Sequence, residues 1–398
     1  MCNGNCLTCG KCNRFQILDY FAFDNKETHS CNDEENKKND NRTTHEPRDG
    51  FGIAIDIGTT TVVIALLDLT SGEMLGRHSF LNPQCEFGPD VISRIDAANK
   101  GHLEYLNRLI KDNLIAAIAE LLRHKEISSN QMTQIAIAGN TTMSYLLLGL
   151  PCESLGVKPF KPAFTIPEIY SLAGCNAFIF PYLAAFIGGD ISAGLLYIIS
   201  QKSLLQKSLK FLLVDLGTNG EMGLYNNGEL IVTATAAGPA FDTIGSGGAS
   251  HVISLLADMI RRDEIDESGA VSQPDTVLTQ AQIRELQLAK SAIRAGLEIL
   301  IEDSGLTYTD LDALYLAGGI GQAINIADAC AIGLIPDALE SKSAPIGNAS
   351  LGGAVSFLLA PMAQHKKLAE IIHDAKEINL ATHKKFSDYY MDYMFFEV

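Results

Sequence analysis

Four cysteines fall within the first twelve residues, Cys2, Cys6, Cys9 and Cys12, in the run MCNGNCLTCGKC. Thiolates spaced C-x-x-x-C-x-x-C-x-x-C can converge on one metal centre. Cysteine sulfur is what holds iron–sulfur clusters, and a four-iron, [4Fe–4S]-type cluster is the leading assignment. A structural zinc ion is the alternative, since four thiolates satisfy it equally. A second kind of chemistry begins at IAIDIGTTTV, residues 53–62. A tight hairpin of Gly58, Thr59, Thr60 and Thr61 can offer backbone N–H groups and hydroxyls to phosphate oxygens. Asp56, at the end of an apolar run, is a costly place for a carboxylate unless a cation compensates it. Mg²⁺, bound directly or through water, would do so.

The same pattern recurs. KFLLVDLGTNGEM at 210–222 repeats the apolar run, the Asp, the Gly-Thr and the second strand, and places Asp215 159 positions after Asp56. Gly217, Thr218 and Asn219 would then grip the same phosphates from a second lobe. The bland alternative is two ordinary hairpins whose Gly and Thr serve conformation; the recurrence argues for function. Two weaker signals join them. In GGD, residues 188–190, Asp190 opens a helical stretch, where it either caps the helix or orients an attacking water in phosphoryl transfer. In LAGGIGQ, Gly318, Gly319 and Gly321 let a flat ring approach the backbone, or simply form a turn or helix cap.

These residues need a scaffold, and the chain is long enough to provide one. It has 398 residues, 47% apolar and 19% charged, with 34 glycines and no tryptophan, the profile of an α/β enzyme of two or three domains. Its net charge of -17 argues against a nucleic-acid partner. No export signal opens the chain, so a cytoplasmic location is expected. The apolar stretch at 177–200 is broken by Pro181, Gly188, Gly189 and Asp190 and reads as buried core, not as a membrane span. The scattered Cys31, Cys85, Cys152, Cys175 and Cys330 read as small core residues or inert thiols.

The organisation follows from composition. Residues 1–31 carry the cysteines, and 32–50 are almost free of apolar side chains and read as a flexible linker. Such a linker would reach about 25 Å as a coil and about 60 Å when stretched. A first lobe is expected at 51–205, a second at 206–362, and a C-terminal helical tail at 363–398 docked on the body. Helices are expected near 102–124 and 279–304, and a small-residue helix at GNASLGGAVSFLL. No zinc-protease, esterase-elbow or histidine ligand pattern is present.

The order D-x-G-T, G-G-D, D-x-G-T, A-G-G-x-G over residues 51–360 resembles the superfamily of acetate and sugar kinases, heat-shock chaperones and actin. That resemblance implies a duplicated two-lobed, actin-like (ribonuclease H-like) α/β ATPase fold with ATP in the cleft. AGNTTM (138–143), DLGTNGEM (215–222), AAGPAFD (236–242), LQLAKSAIRAGLEIL (286–300) and LAGGIGQAINIADACAIGLIP (316–336) narrow it. Together they look like the ATP-dependent reductive activators of corrinoid proteins. The family implies ATP and Mg²⁺ as ligands, with Asn140, Thr141 and Gly238 added to the nucleotide site. It implies that ATP turnover drives one electron from an iron–sulfur cluster onto a Co(II) corrinoid protein, with a donor such as reduced ferredoxin upstream. The well-known members carry a plant-type ferredoxin domain where this chain has a short cysteine stub. Activation of another low-potential metalloenzyme such as a dehydratase, a small-molecule kinase and a nucleotide-dependent redox sensor are the rival readings. A homodimer is among the assemblies left open.

Overall fold

The computed structural model describes residues 45–164, 169–201, 209–217, 219–238, 240–244, 249–272 and 276–396. Two six-stranded mixed sheets organise the chain. The first is built from β1 (Phe51–Ile57), β2 (Thr61–Asp68), β3 (Met74–Leu81), β4 (Met132–Gly139), β5 (Ile169–Leu172) and β6 (Cys175–Ile179). The second uses β7 (Lys210–Leu216), β8 (Gly220–Asn226), β9 (Glu229–Thr235), β10 (Ala313–Ala317), β11 (Ser343–Gly347) and β12 (Lys376–Glu377). Strand order is β3-β2-β1-β4-β6-β5 in one and β11-β10-β7-β8-β9-β12 in the other. With the edge strands β5 and β12 set aside, β1, β2, β3, β4 and β6 correspond to β7, β8, β9, β10 and β11. In both sheets the central strand pairs antiparallel with the next strand and parallel with the one after the crossover. The internal repeat is therefore a structural duplication.

Central strands of such sheets are covered on both faces and so read as continuous apolar runs. Helices supply the cover. Helix α1 (Val91–Ala97) and α2 (Leu103–His124) lie on the outer side of the first sheet, where Leu106, Ile110, Leu114 and Ile118 pack against Ile53, Ile55 and Ile64. α3 (Thr141–Leu148) joins the same layer. Helices α5 (Ala249–Arg261), α6 (Gln280–Ser304) and α7 (Ile326–Ala331) cover the outer side of the second sheet. Thr279 caps α6 in a reciprocal capping box with Gln282, which sets the start of the long helix expected from the sequence.

Between the sheets lies a third core layer, formed by α4 (Gly189–Gln201) and α8 (Ala349–Leu359) together with residues of both sheets. Every residue of α8 is buried. The two helices meet almost backbone to backbone, since a Cβ on Gly353 would stand 2.0 Å from the Ala193 carbonyl oxygen. The small residues in both helices are what permit this approach. The apolar segment at 177–200 is thus the interior of the molecule, and no helix among the described residues is long and apolar enough to cross a membrane.

The chain enters the first sheet beside the far end of α8. The Glu46 N–H donates to the Leu359 carbonyl at 2.8 Å, and the Arg48 guanidinium donates to the Leu358 carbonyl and, at 2.8 Å, to Gln134 Oε1. At the other end of the chain, α9 (Pro361–Ile372) follows α8, and α10 (Phe386–Asp392) packs on α6, with Tyr389 and Lys385 bonded to Glu302. Phe396 is buried and its N–H bonds the Glu267 carbonyl at 2.8 Å.

Candidate active site

Asp56 and Asp215 occupy the same place, the next-to-last residue of a seven-residue strand whose neighbours on either side are buried. The strands that make them apolar also fix where the acids emerge, at the end of the sheet where the hairpins turn. Asp56 Oδ2 accepts from Asn348 Nδ2 and Oδ1 accepts from Ser350 Oγ, both at 2.7 Å. Asn348 also caps α8 through the Leu351 N–H, at 2.7 Å. Burial nonetheless pushes the Asp56 carboxyl above the ordinary range, with these two donors opposing the shift.

The hairpin beyond Asp56 is tightly braced. Gly58 donates its N–H to the Thr61 carbonyl at 3.1 Å, and a Cβ there would stand 2.6 Å from that same oxygen. Asn140, the cap of α3, sends its Nδ2 to Thr59 Oγ1 at 2.9 Å while its Oδ1 accepts from Met143 N. Thr60 and Thr61 are exposed. The Thr141 hydroxyl, by contrast, is buried and donates to the Ala184 carbonyl at 2.8 Å, so it points away from the hairpin.

Asp190 is the second residue of α4, inside the first turn and not at the cap position, and its Oδ1 accepts from the Ile191 N–H at 2.8 Å. The Gly188–Gly189 turn before it lies against Asn140; a Cβ on Gly188 would fall 2.3 Å from Asn140 Cα. Asp215 sits beneath Gly318, which has φ +81°, and a Cβ on Gly318 would be 2.2 Å from Asp215 Oδ1. Gly319 has open space around it, whereas Gly321 is buried and packs on Leu316. Gly217 donates to the Asn219 carbonyl at 3.1 Å, and Gly238 has φ +79° with nothing near its missing side chain. Thr218 lies outside the described residues, as do Cys2, Cys6, Cys9, Cys12 and Cys31.

Glu221 was not among the expected site residues. It lies directly across from Asp215 in the β7–β8 hairpin, shares a hydrogen bond with the Asp190 carboxyl, and accepts from the Gly188 N–H. Its Oε2 is buried without a partner among the described residues. An acid on a strand immediately after D-L-G-T-N-G was the available signal. Burial raises all four carboxyls, and neighbouring acid charges add to it in three of them: Asp190 to about 6, Asp215 to about 8, Glu221 well above its usual range.

Four mutually repelling acids form an oxygen-only donor set, which suits a hard cation such as Mg²⁺. Among the described residues no three of them converge closely enough to enclose a metal ion by themselves, so the fit is to a cation that brings water or phosphate oxygens along. Of the scattered cysteines, Cys152, Cys175 and Cys330 are buried, and burial pushes the thiols of Cys152 and Cys330 up to about 12. Cys85 departs from the expected core placement and is exposed.

Duplicated strand-hairpin-acid units around a paired helix core define the actin-like class called ASKHA, and known proteins agree. Residues 210–254 and 257–398 match the family model described as the C-terminal domain of RACo, the ASKHA domain, and residues 51–202 match the RACo middle region. The chain is 31% identical to the corrinoid activation enzyme RamQ of Eubacterium limosum, over 86% of this chain and 69% of that protein. It is 24% identical to the [Co(II) methylated amine-specific corrinoid protein] reductase of Methanosarcina barkeri, over 86% of this chain and 76% of the other. A solved reductive activator for corrinoid, iron-sulfur protein superposes with a TM-score of 0.76 at 30% identity, over 87% of this chain and 66% of that one. The chain belongs to the RACo family.

Proposed function

We propose that this chain is an ATP-dependent reductive activator that delivers a low-potential electron to a corrinoid protein, taking Co(II) to Co(I). The observation that carries it is the paired acid-hairpin site, duplicated across two sheets in a chain whose relatives are named for corrinoid activation. In this reading the hairpins at Gly58–Thr61 and Gly217–Asn219 receive ATP phosphates through backbone N–H groups and hydroxyls. Asn140 orients Thr59 from below. Asp190 holds and orients the attacking water, because its carboxyl is fixed in the first turn of α4. Thr141 and Gly321 would shape the site from behind, and Gly238, Gly318 and Gly319 let nucleotide and backbone approach. Asp56 and Asp215 would hold Mg²⁺ through its water shell, and that ion would neutralise charge on the phosphates.

Cys2, Cys6, Cys9 and Cys12 would bind the iron–sulfur cluster, for which we favour the [4Fe–4S] type, and the cluster supplies the electron. A donor such as reduced ferredoxin would refill it, and the protein would work in the cytoplasm. We take nucleotide to close the two lobes and so favour docking on the corrinoid protein, which it can do only by binding the closed arrangement more tightly. The test mixes anaerobic protein, chemical reductant and a Co(II) corrinoid protein and follows the corrinoid absorption spectrum. Co(I) is expected only with hydrolysable ATP and Mg²⁺. Deleting residues 1–31 is expected to abolish reduction and leave ATPase activity. Equal reduction without nucleotide overturns the reading.

A further inference from the structure

Arg94, on α1, has no exposed surface and no carboxylate within ion-pair distance among the described residues. Its guanidinium is spent on other acceptors. Nη2 donates to the Thr59 carbonyl at 2.6 Å and to Cys85 Sγ at 3.2 Å; Nε donates to the Gly88 carbonyl at 3.2 Å; Nη1 reaches Met143 Sδ at 3.4 Å. Asp90 acts on it only at longer range; a buried cation without a direct ion pair is expensive, and arginine does not escape by losing its proton. Something must repay that placement.

The accounting of the hairpin carbonyls shows what. The Gly58 carbonyl accepts from Asn82 Nδ2 at 2.9 Å, the Thr59 carbonyl from Arg94, and the Thr60 carbonyl from the Asn82 N–H at 2.8 Å. The Thr61 carbonyl takes the Gly58 N–H. Asn82 is itself fully buried, and its Nδ2 shares Met143 Sδ with Arg94. In a trans peptide the C=O and the following N–H point in opposite directions. Pulling the carbonyls of Gly58 and Thr59 into the protein therefore turns the N–H groups of Thr59 and Thr60 outward. Neither of these donors has an acceptor among the described residues.

We infer that Arg94 is a positioning residue for polyphosphate recognition: it fixes the Thr59–Thr60 peptide with its N–H toward the β- and γ-phosphates and places a buried positive charge behind them. This rests on the reading that the hairpin binds nucleotide phosphate. The role specifies a ligand class, since only a ligand carrying several phosphate charges gains from it; adenosine gains nothing.

The test compares full-length wild type with Arg94→Met and Arg94→Lys, measuring affinity for Mg·ATP and for adenosine by calorimetry, alongside thermal melts. Losing a charge-assisted bond and the charge predicts ATP binding weaker by roughly ten- to a hundredfold in Arg94→Met, with adenosine unchanged. Arg94→Lys is expected to lie between, because an ammonium keeps the charge but not the fork that spans the Thr59 and Gly88 carbonyls. In wild type, ATP but not adenosine is expected to slow hydrogen exchange at the Thr59 and Thr60 amides. A folded variant with unaltered ATP affinity, or with ATP and adenosine weakened by one common factor, overturns the inference. Should Arg94→Met not fold, Arg94→Lys and the exchange experiment decide it, and unprotected amides sink it. Wild type that binds adenosine and ATP equally well would instead overturn the phosphate-site reading beneath it.

Discussion

The two acid hairpins share a backbone plan and differ in electrostatics. β1 and β7 have the same length and the same order of buried and partly buried positions. Their turns differ: Ile57 pairs with Val62, leaving four residues between them, while Leu216 pairs with Gly220, leaving three. That one-residue contraction is where the copies diverge chemically. Opposite Asp56 stands Val63; opposite Asp215 stands Glu221. Asp56 is satisfied by two side-chain donors, whereas Asp215 has no hydrogen-bond partner among the described residues and is pushed up to about 8 by burial and by the Asp190 and Asp56 charges. Duplication kept the frame and divided the labour. The first hairpin is braced by hydrogen bonds to its carbonyls, and the second faces a cluster of buried acids.

The largest effects should come from removing the paired acids. Asp56→Asn and Asp215→Asn are each expected to cut ATP hydrolysis tenfold or more, as charge proposed to hold Mg²⁺ against the phosphates is lost. Their stabilities should separate them. Asp215→Asn removes a crowded like charge and is expected to raise the melting temperature at pH 8 without nucleotide. Asp56→Asn keeps partners for both of its polar atoms and is expected to leave it nearly unchanged. Wild-type turnover in both variants would mean that the hairpins are only turns.

A glycine pair breaks the symmetry more cleanly. Gly58 and Gly217 hold matching places in D-x-G-T, yet a Cβ on Gly58 would meet the Thr61 carbonyl at 2.6 Å and one on Gly217 meets only the Asn219 carbonyl at 3.8 Å. Gly58→Ala is expected to cost about 1–3 kcal/mol and to weaken ATP binding, by forcing the first hairpin apart. Gly217→Ala should stay within about 0.5 kcal/mol of wild type. Denaturant melts and nucleotide titrations check both, and equal costs would erase the distinction between the two turns.

How much of this was legible in the sequence follows the physics of each signal. The duplicated frame was readable because buried strands leave continuous apolar runs, and the D-x-G-T punctuation marks their ends. The close helix pair was readable from the small residues of 347–359. Arg94 and Glu221 were not, because each acquires meaning from a partner distant in sequence: Thr59 lies 35 residues before Arg94, and Asp190 lies 31 before Glu221. Burial of a lone Arg in SRIDAA, or of a Glu on a hairpin, leaves no periodic trace. The sequence likewise shows the Thr141 hydroxyl but not that the Ala184 carbonyl accepts from it.

The acid cluster also predicts a pH slope. Asp190 and Asp215 carry folded-state pKa values of about 6 and about 8, above the 3.8 of a free aspartate, so between about pH 4 and 8 the folded chain binds more protons than the unfolded one. Stability from these groups is therefore fully present at low pH and is lost as pH rises through the folded values. The melting temperature of nucleotide-free protein is expected to fall from pH 5 to pH 8, and Asp215→Asn should flatten the upper part of that slope. An unchanged slope in the variant would show that Asp215 ionises normally.

The smallest expected effect is the most specific to the second lobe. Glu221 and Asp190 share a hydrogen bond, which two carboxyls can form only while one of them keeps a proton. Glu221→Gln replaces the acid with an amide that donates to Asp190 whatever the pH, so the shared proton can no longer sit on Asp190. Asp190 should then ionise more readily, and the acidic limb of the pH profile for ATP turnover should move down by about one unit. Plateau turnover should change less than about threefold, because the Asp190 carboxylate, proposed above to orient the water, is retained. A structural role alone would lower the melting temperature and leave the profile where it was. A profile fixed in place with normal stability would remove Glu221 from the chemistry and leave the second hairpin, like the first, with a single working acid.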